Sequence, residues 1–192
     1  MKLRWVFFCS VLWMSCQNDN STLLIEQQKE AKKKEAIFNT INRGWEFDIA
    51  PMDPQTMARI GTWNEWRNFL REINQKPKST LSAFQKKATV LVAKSNELLL
   101  GVPQEFNKPQ VRARIMVINT KLKSMDLYIH LNQIPDDKVV QLVGEVNTEI
   151  EYLQLQLEEI VQRSLIPREE GEPDFQKMKD TTRAIPNTPI NH

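Results

Sequence analysis

The residue types in this chain best suited to chemistry are His130, the acidic pairs Asp136–Asp137, Glu158–Glu159 and Glu169–Glu170, and the cysteines Cys9 and Cys16. His130 could ligate a non-covalent haem together with a core methionine, Met116 or Met125. A di-iron centre would need Glu-x-x-His pairs on facing helices, and covalent haem would need Cys-x-x-Cys-His. Neither spacing occurs. A single histidine near a helix end reads first as a structural or solvated residue, so no metal and no cofactor is expected. The acidic pairs do not converge on one atom, because neighbours on a helix point about 100° apart. They read as complements to a helix dipole and as solvated faces. Both cysteines precede residue 17, so the body of the chain holds no thiol nucleophile and no zinc-type cluster.

Other signatures are missing as well. G-x-S-x-G, G-x-x-x-x-G-K and G-x-G-x-x-G do not occur, and with 5 glycines the chain has little backbone able to wrap a phosphate. No catalytic residue is assigned, and an enzyme is not expected. Trp45, Phe47, Trp63, Trp66 and Phe69 could form an aromatic ligand platform, but at helical spacing they read as core. Arg112 and Arg114 could receive an acidic partner, or pair with surface glutamates.

The elements that would position these residues are helices. Ile37, Phe38, Ile41 and Trp45 form a stripe at helical spacing at the end of a helix expected over residues 23–42. The first half of that helix, Glu26 to Glu35, is rich in Glu, Gln and Lys and reads as a solvated stalk. Its run Lys32-Lys33-Lys34 could touch acidic lipid, but reads first as a solvated face. Asp53 and Pro54 mark the start of a second helix, as N-cap and first helical residue. Ile60, Trp63, Trp66, Leu70 and Ile73 would share one face of it before Pro77 ends it.

A third helix starts at Ser79 or Thr80 and carries Phe84, Ala88, Leu91, Ser95 and Leu98, with Gly101 after its end. A fourth, capped by Asn107, carries Val111, Ile115, Ile118, Leu122, Met125 and Ile129. A fifth follows Pro135 with Val139, Val143, Val146, Ile150, Leu153, Leu157 and Ile160. Its Asp136 and Asp137 complement the helix dipole. A seam every 3.5 residues is the packing pattern of a left-handed bundle, and short loops make neighbours antiparallel. Leu153 is expected inside, and Gln154, one step round the helix, outside. From Pro167 the pattern stops. Prolines 167, 173, 186 and 189 with mixed charges predict a loosely ordered tail.

The first sixteen residues, MKLRWVFFCSVLWMSC, have a different organisation. Lys2 and Arg4 form a positive start, Trp5 to Met14 an apolar run broken by Ser10, and Ser15 precedes Cys16. That is the order of an export signal. The run is too short to span a bilayer, which needs about 20 apolar residues. The junction resembles the lipobox of bacterial lipoproteins. In that family a small residue precedes a cysteine that is acylated and becomes the new N-terminus. Ser15 and Cys16 match those positions, Leu12, or more loosely Trp13, stands where the family prefers an aliphatic residue, and Met14 replaces the usual small one.

The resemblance covers residues 1–16 and implies a lipid on Cys16 and a membrane-anchored place in the bacterial cell envelope. Gln17, where an aspartate would favour inner-membrane retention, points to the outer membrane, facing the periplasm or the cell surface. The competing readings are a buried apolar helix of a cytosolic protein and cleavage by an ordinary signal peptidase, but no A-x-A-like site follows the run.

Removing Lys2 and Arg4 from the 26 basic residues leaves 24, against 24 acidic ones, so the mature chain is neutral. It lacks the positive field that draws nucleic acid. The sequence thus predicts a signal peptide at 1–15, a tether at 16–22, a helical domain at 23–166 and a flexible tail at 167–192. The fold is expected to be all-α: an up-and-down antiparallel bundle of four main helices over 55–163, with the N-terminal helix packed on it by its C-terminal half. The expected role is a non-catalytic, lipid-anchored scaffold or protein-binding module. The alternative is a bundle that holds a small apolar ligand or cofactor in its core.

Overall fold

The computed structural model describes residues 19–166, and every regular element among them is helical. The helices are α1 (Asp19–Gly44), α2 (Pro54–Ile60), α3 (Asn64–Ile73), α4 (Leu81–Leu100), α5 (Pro109–Ile129) and α6 (Asp136–Leu165), with a 3-10 turn at Gln104–Phe106. The expected signal peptide, Cys16 and the expected tail from residue 167 lie outside the described residues. No helix among the described residues is long and apolar enough to cross a membrane.

Two starts follow their caps. Asp53 accepts hydrogen bonds from the backbone N–H groups of Gln55 and Thr56 at 2.9 and 3.0 Å, satisfying donors that the first turn leaves free. Thr80 does the same for Ala83 at 3.2 Å. The expected cap of α5 is corrected. Lys108, not Asn107, holds the N-cap position, without a side-chain bond. The Asn107 carboxamide oxygen instead accepts a bond from Arg112 at 3.4 Å.

The core is built by α4, α5 and α6, with α5 packed against both of the others. Gln85 of α4 donates to the Ile129 carbonyl at 2.9 Å, which sets the start of α4 beside the end of α5. The buried residues of α4 include Phe84, Ala88, Leu91, Ser95 and Leu98; those of α5 include Val111, Ile115, Ile118, Leu122, Met125 and Ile129. Ser95 is tolerated inside because the Asn119 amide donates to its hydroxyl at 2.7 Å and to Asn96 at 2.9 Å.

The fourth side of the bundle is shared, not filled by one long helix. At one end the last turns of α1 bury Ile41 and Trp45, and Trp45 meets Phe84 edge-on at 5.2 Å. There Gly44 lets α1 approach α6, since a Cβ on it would fall 2.5 Å from both Val140 methyl carbons. α3 lies along α4, with Glu72 bound to Lys87 at 2.5 Å near the start of α4 and Glu65 beside Gly101 at its end. The single helix expected from Pro54 is two helices. Gly61, a weak helix former, and Trp63, which is outside helical backbone geometry at φ −78° and ψ 88°, turn the chain between them. The turn lets Ile60, Trp63, Trp66, Phe69 and Ile73 all reach the core. Leu70, expected inside, is only partly buried.

Two further expectations are corrected on α6. Val161 is buried in place of Ile160, and Gln154 is buried although expected outside. The first correction follows from helix geometry. A straight α-helix drifts about 20° per heptad from a 3.5-residue repeat, so over three heptads the inward direction passes to the next residue. The second follows from the chain between α1 and α2. Asn147 donates to the Glu46 carbonyl at 2.9 Å, Gln154 to the Ala50 carbonyl at 2.8 Å, and the Asp53 N–H donates to Glu158 at 2.9 Å. Residues 46–53 form a strap that lacks helical bonds of its own. Side chains of α6 supply partners that its backbone would otherwise lack.

Candidate functional site

The residues that could have formed a reaction centre are kept apart. His130 caps the end of α5, where its Nδ1 lies 2.7 Å from the Asp126 carbonyl oxygen on the surface. Met116 is 58% exposed and Met125 is fully buried, so they do not complete a ligand pair with His130. Among the described residues, no group of three or more His, Cys, Asp or Glu side chains could hold a metal ion. Asp136 and Asp137 occupy the first turn of α6. Glu158 binds the strap, while its neighbour Glu159 pairs with Arg163 at 2.6 Å. The aromatic cluster belongs to the core: Trp63 stacks on Trp66 at 5.8 Å, and Trp66 meets Phe69 at 6.2 Å.

Among the described residues, two surface clefts stand out. One of about 490 Å³, between the 3-10 turn and the end of α6, is lined by residues including Glu105, Lys108, Glu159 and Arg163. Its charges are largely matched within the chain, with Arg59 bound to Glu105 at 2.5 Å and to Ser164 at 2.8 Å. The other, of about 260 Å³, lies between the strap and α6 beside Asp48, Asn147 and Gln154. Neither has the predominantly apolar lining that a small apolar ligand requires.

Two exposed surfaces remain. The first is the outer side of α5, opposite the core. Ala113, Met116, Val117, Thr120 and Leu127 are exposed along it, with Ser124 between the last two. Thr120 and Ser124 spend their hydroxyls on the carbonyls of Met116 and Thr120, at 2.8 and 3.0 Å. The stripe is therefore less polar than its composition. Leu127 is 61% exposed. On the side away from α6 the stripe is flanked by the exposed Arg112 and Lys123, both positive.

Arg112 does not pair with a glutamate, as expected, but donates to the Leu99 carbonyl and Asn107. Arg114 does meet Glu149, at 3.4 Å, and lies 4.9 Å over the Tyr152 ring. Beside it Lys121 binds Glu145 at 2.6 Å. That hydrogen bond holds the Glu145 carboxyl below the ordinary carboxylate range and the Lys121 ammonium above its own. These pairs tie α5 to α6 and border the stripe on one side.

The second surface is the exposed half of α1. Residues 21–36 are exposed at every position, and burial begins only with Ile37 and Phe38. The helix also starts earlier than expected, at Asp19, so it takes in residues 19–22 of the expected tether. Cys16 precedes it by three residues in sequence. The stalk was legible in the sequence as charged residues without an apolar stripe. The outer stripe of α5 was not, because its small and polar residues hide a periodicity that shows only once the opposite face is known.

No family model matches the chain, and neither a curated protein nor a solved structure matches it.

Proposed function

We propose that this chain is a cell-envelope lipoprotein, held to the membrane by an acyl group on Cys16, whose bundle serves as a non-catalytic scaffold or docking module for a protein partner. The observation that carries the reading is the continuity of α1. One uninterrupted helix is exposed on every side over residues 21–36 and is anchored in the core by Ile41 and Trp45. At 1.5 Å per residue the exposed part is about 24 Å long. A helix with no core of its own, between a lipidation junction and a packed domain, works as a spacer. It carries the bundle clear of the bilayer.

The outer stripe of α5 is the face that fits a partner. Its occupant would be a helix with an apolar stripe and an acidic rim, complementary to Arg112 and Lys123.

Limited trypsin digestion of intact membranes tests the spacer, since Lys29, Lys32, Lys33 and Lys34 lie in the exposed half of α1. The expected result is release of a soluble, helical fragment that starts after one of these lysines. A body that stays on the membrane after the stalk is cut contradicts the reading. A photo-crosslinking residue at Leu127 tests the docking face against a control at the exposed Glu151 of α6. A discrete protein adduct at 127 alone is expected, and equal or absent adducts contradict it.

A further inference from the structure

We infer that Leu23, Leu24 and Ile25 form an apolar collar that seats in the bilayer interface beside the lipid anchor; this rests on the lipoprotein reading above. The three side chains are 52%, 58% and 51% exposed. They are consecutive, so at about 100° per residue they point in three directions and span roughly 200° of the helix circumference. A side chain set of this kind cannot be half of an amphipathic seam, since no single neighbouring helix could cover it. A medium that surrounds the helix could.

Position selects that medium. Between Cys16 and Asp19 the chain reaches at most roughly 10 Å, and from Asp19 to Leu23 the helix rises about 6 Å. The collar therefore lies within about 16 Å of the acylated residue, while about 20 Å of helix separates Leu24 from Ile37, where contact with the bundle begins. The next turns set the depth. Glu26, Lys29, Glu30, Lys32, Lys33, Lys34 and Glu35 are all exposed and keep the rest of the stalk in water. With 4 lysines against 3 glutamates, that stretch is nearly neutral. Apolar contact and not charge attraction would hold the collar. Lipid anchors gain firm attachment from a second membrane contact of this kind.

The test uses the mature acylated protein, beginning at Cys16, in vesicles of phosphatidylethanolamine and phosphatidylglycerol. Single cysteines are introduced as Leu24→Cys or Ala36→Cys and labelled with an environment-sensitive fluorophore; the acylated Cys16 is blocked, and Cys9 leaves with the signal peptide. The expected result is a blue-shifted emission at position 24, quenched several-fold by nitroxide lipids, against a water-like and unquenched signal at position 36. High salt should leave the difference in place. Protein that does not float with the vesicles contradicts the anchor and the collar together. Protein that floats, with position 24 in water, contradicts the collar alone. Crosslinking from position 24 to a second copy or to another protein, without lipid quenching, also overturns it.

Discussion

Gln154 donates from its Nε2 to the Ala50 carbonyl at 2.8 Å, joining the middle of α6 to the strap that precedes α2. Gln154 is 6% exposed, beside a Leu153 that is fully buried. Adjacent residues on one helix thus both face inward, one to the apolar core and one to a polar backbone. Leu153→Ala is expected to cost roughly 2–5 kcal/mol from lost transfer and a cavity. Gln154→Ala should cost about 1–3 kcal/mol, because the Ala50 carbonyl loses its partner in a partly buried place. Urea unfolding of both variants at equal slope checks this. A loss under about 0.5 kcal/mol at Gln154, the size of an ordinary surface change, would show that the strap does not depend on it.

Gly44 lies where α1 packs against Val140 of α6. A methyl group there meets both methyl carbons of Val140 at 2.5 Å. Alanine normally favours a helix over glycine, so a simple propensity argument expects Gly44→Ala to stabilise. Packing here expects the reverse, a loss of about 1–3 kcal/mol from overpacking. Val140→Ala in the same chain should recover part of it. A double-mutant cycle by thermal or urea unfolding gives the coupling, and additive effects would place the clash elsewhere.

Acid should loosen the molecule through two carboxylates. Glu145 is lowered by its hydrogen bond from Lys121, and Asp53 by hydrogen bonds from Thr56 and Gln55 at the start of α2. A carboxyl depressed in the folded state adds stability above its unfolded pKa. That stability is lost as pH falls through the folded value. Stability should therefore decline from the ordinary carboxylate range downward, and Glu145→Gln should flatten part of the decline. At the alkaline side Lys121 is raised, so its contribution is complete below the ordinary lysine range and fades as pH rises through the folded value. Unchanged acid slopes in Glu145→Gln would remove this pair as a cause.

Much of the fold was legible because apolar periodicity survives packing. The expected seams of α4 and α5 are buried residue for residue, from Phe84 to Leu98 and from Val111 to Ile129. The reading failed where the partner is not a helix. Gln154 is polar and off the seam, and its burial follows from a strap with unpaired backbone, which no periodicity reveals. Leu70 is only partly buried, beside a fully buried Phe69, because the turn at Gly61 re-aims α3, a change that a single uninterrupted pattern could not show. On the functional side, the sequence predicted a solvated first half of α1 by its lack of an apolar stripe, and residues 21–36 are exposed; Cys16 lies outside the described residues. The outer stripe of α5 stayed hidden, since Thr120 and Ser124 count as polar until their hydroxyls are seen bonded to the helix itself.

The stalk and the bundle should be energetically separate. Residues 21–36 are exposed at every position, so charge-preserving changes there should leave stability nearly unaltered. Replacing Ala31 and Ala36 with glycine should lower helicity, at about 1 kcal/mol of helix propensity each, while the urea midpoint of the bundle stays within error. A shared shift in helicity and midpoint would mean that the stalk docks on the body.

The anchor itself is tested most directly by intact-mass analysis of the chain purified from its own membranes, compared with Cys16→Ser. The expected wild-type species begins at Cys16 and carries fatty acyl groups, whereas Cys16→Ser carries none and leaves the membrane fraction. A wild-type chain that begins at Met1 without acyl mass, or equal membrane retention of the two, would contradict the lipid anchor.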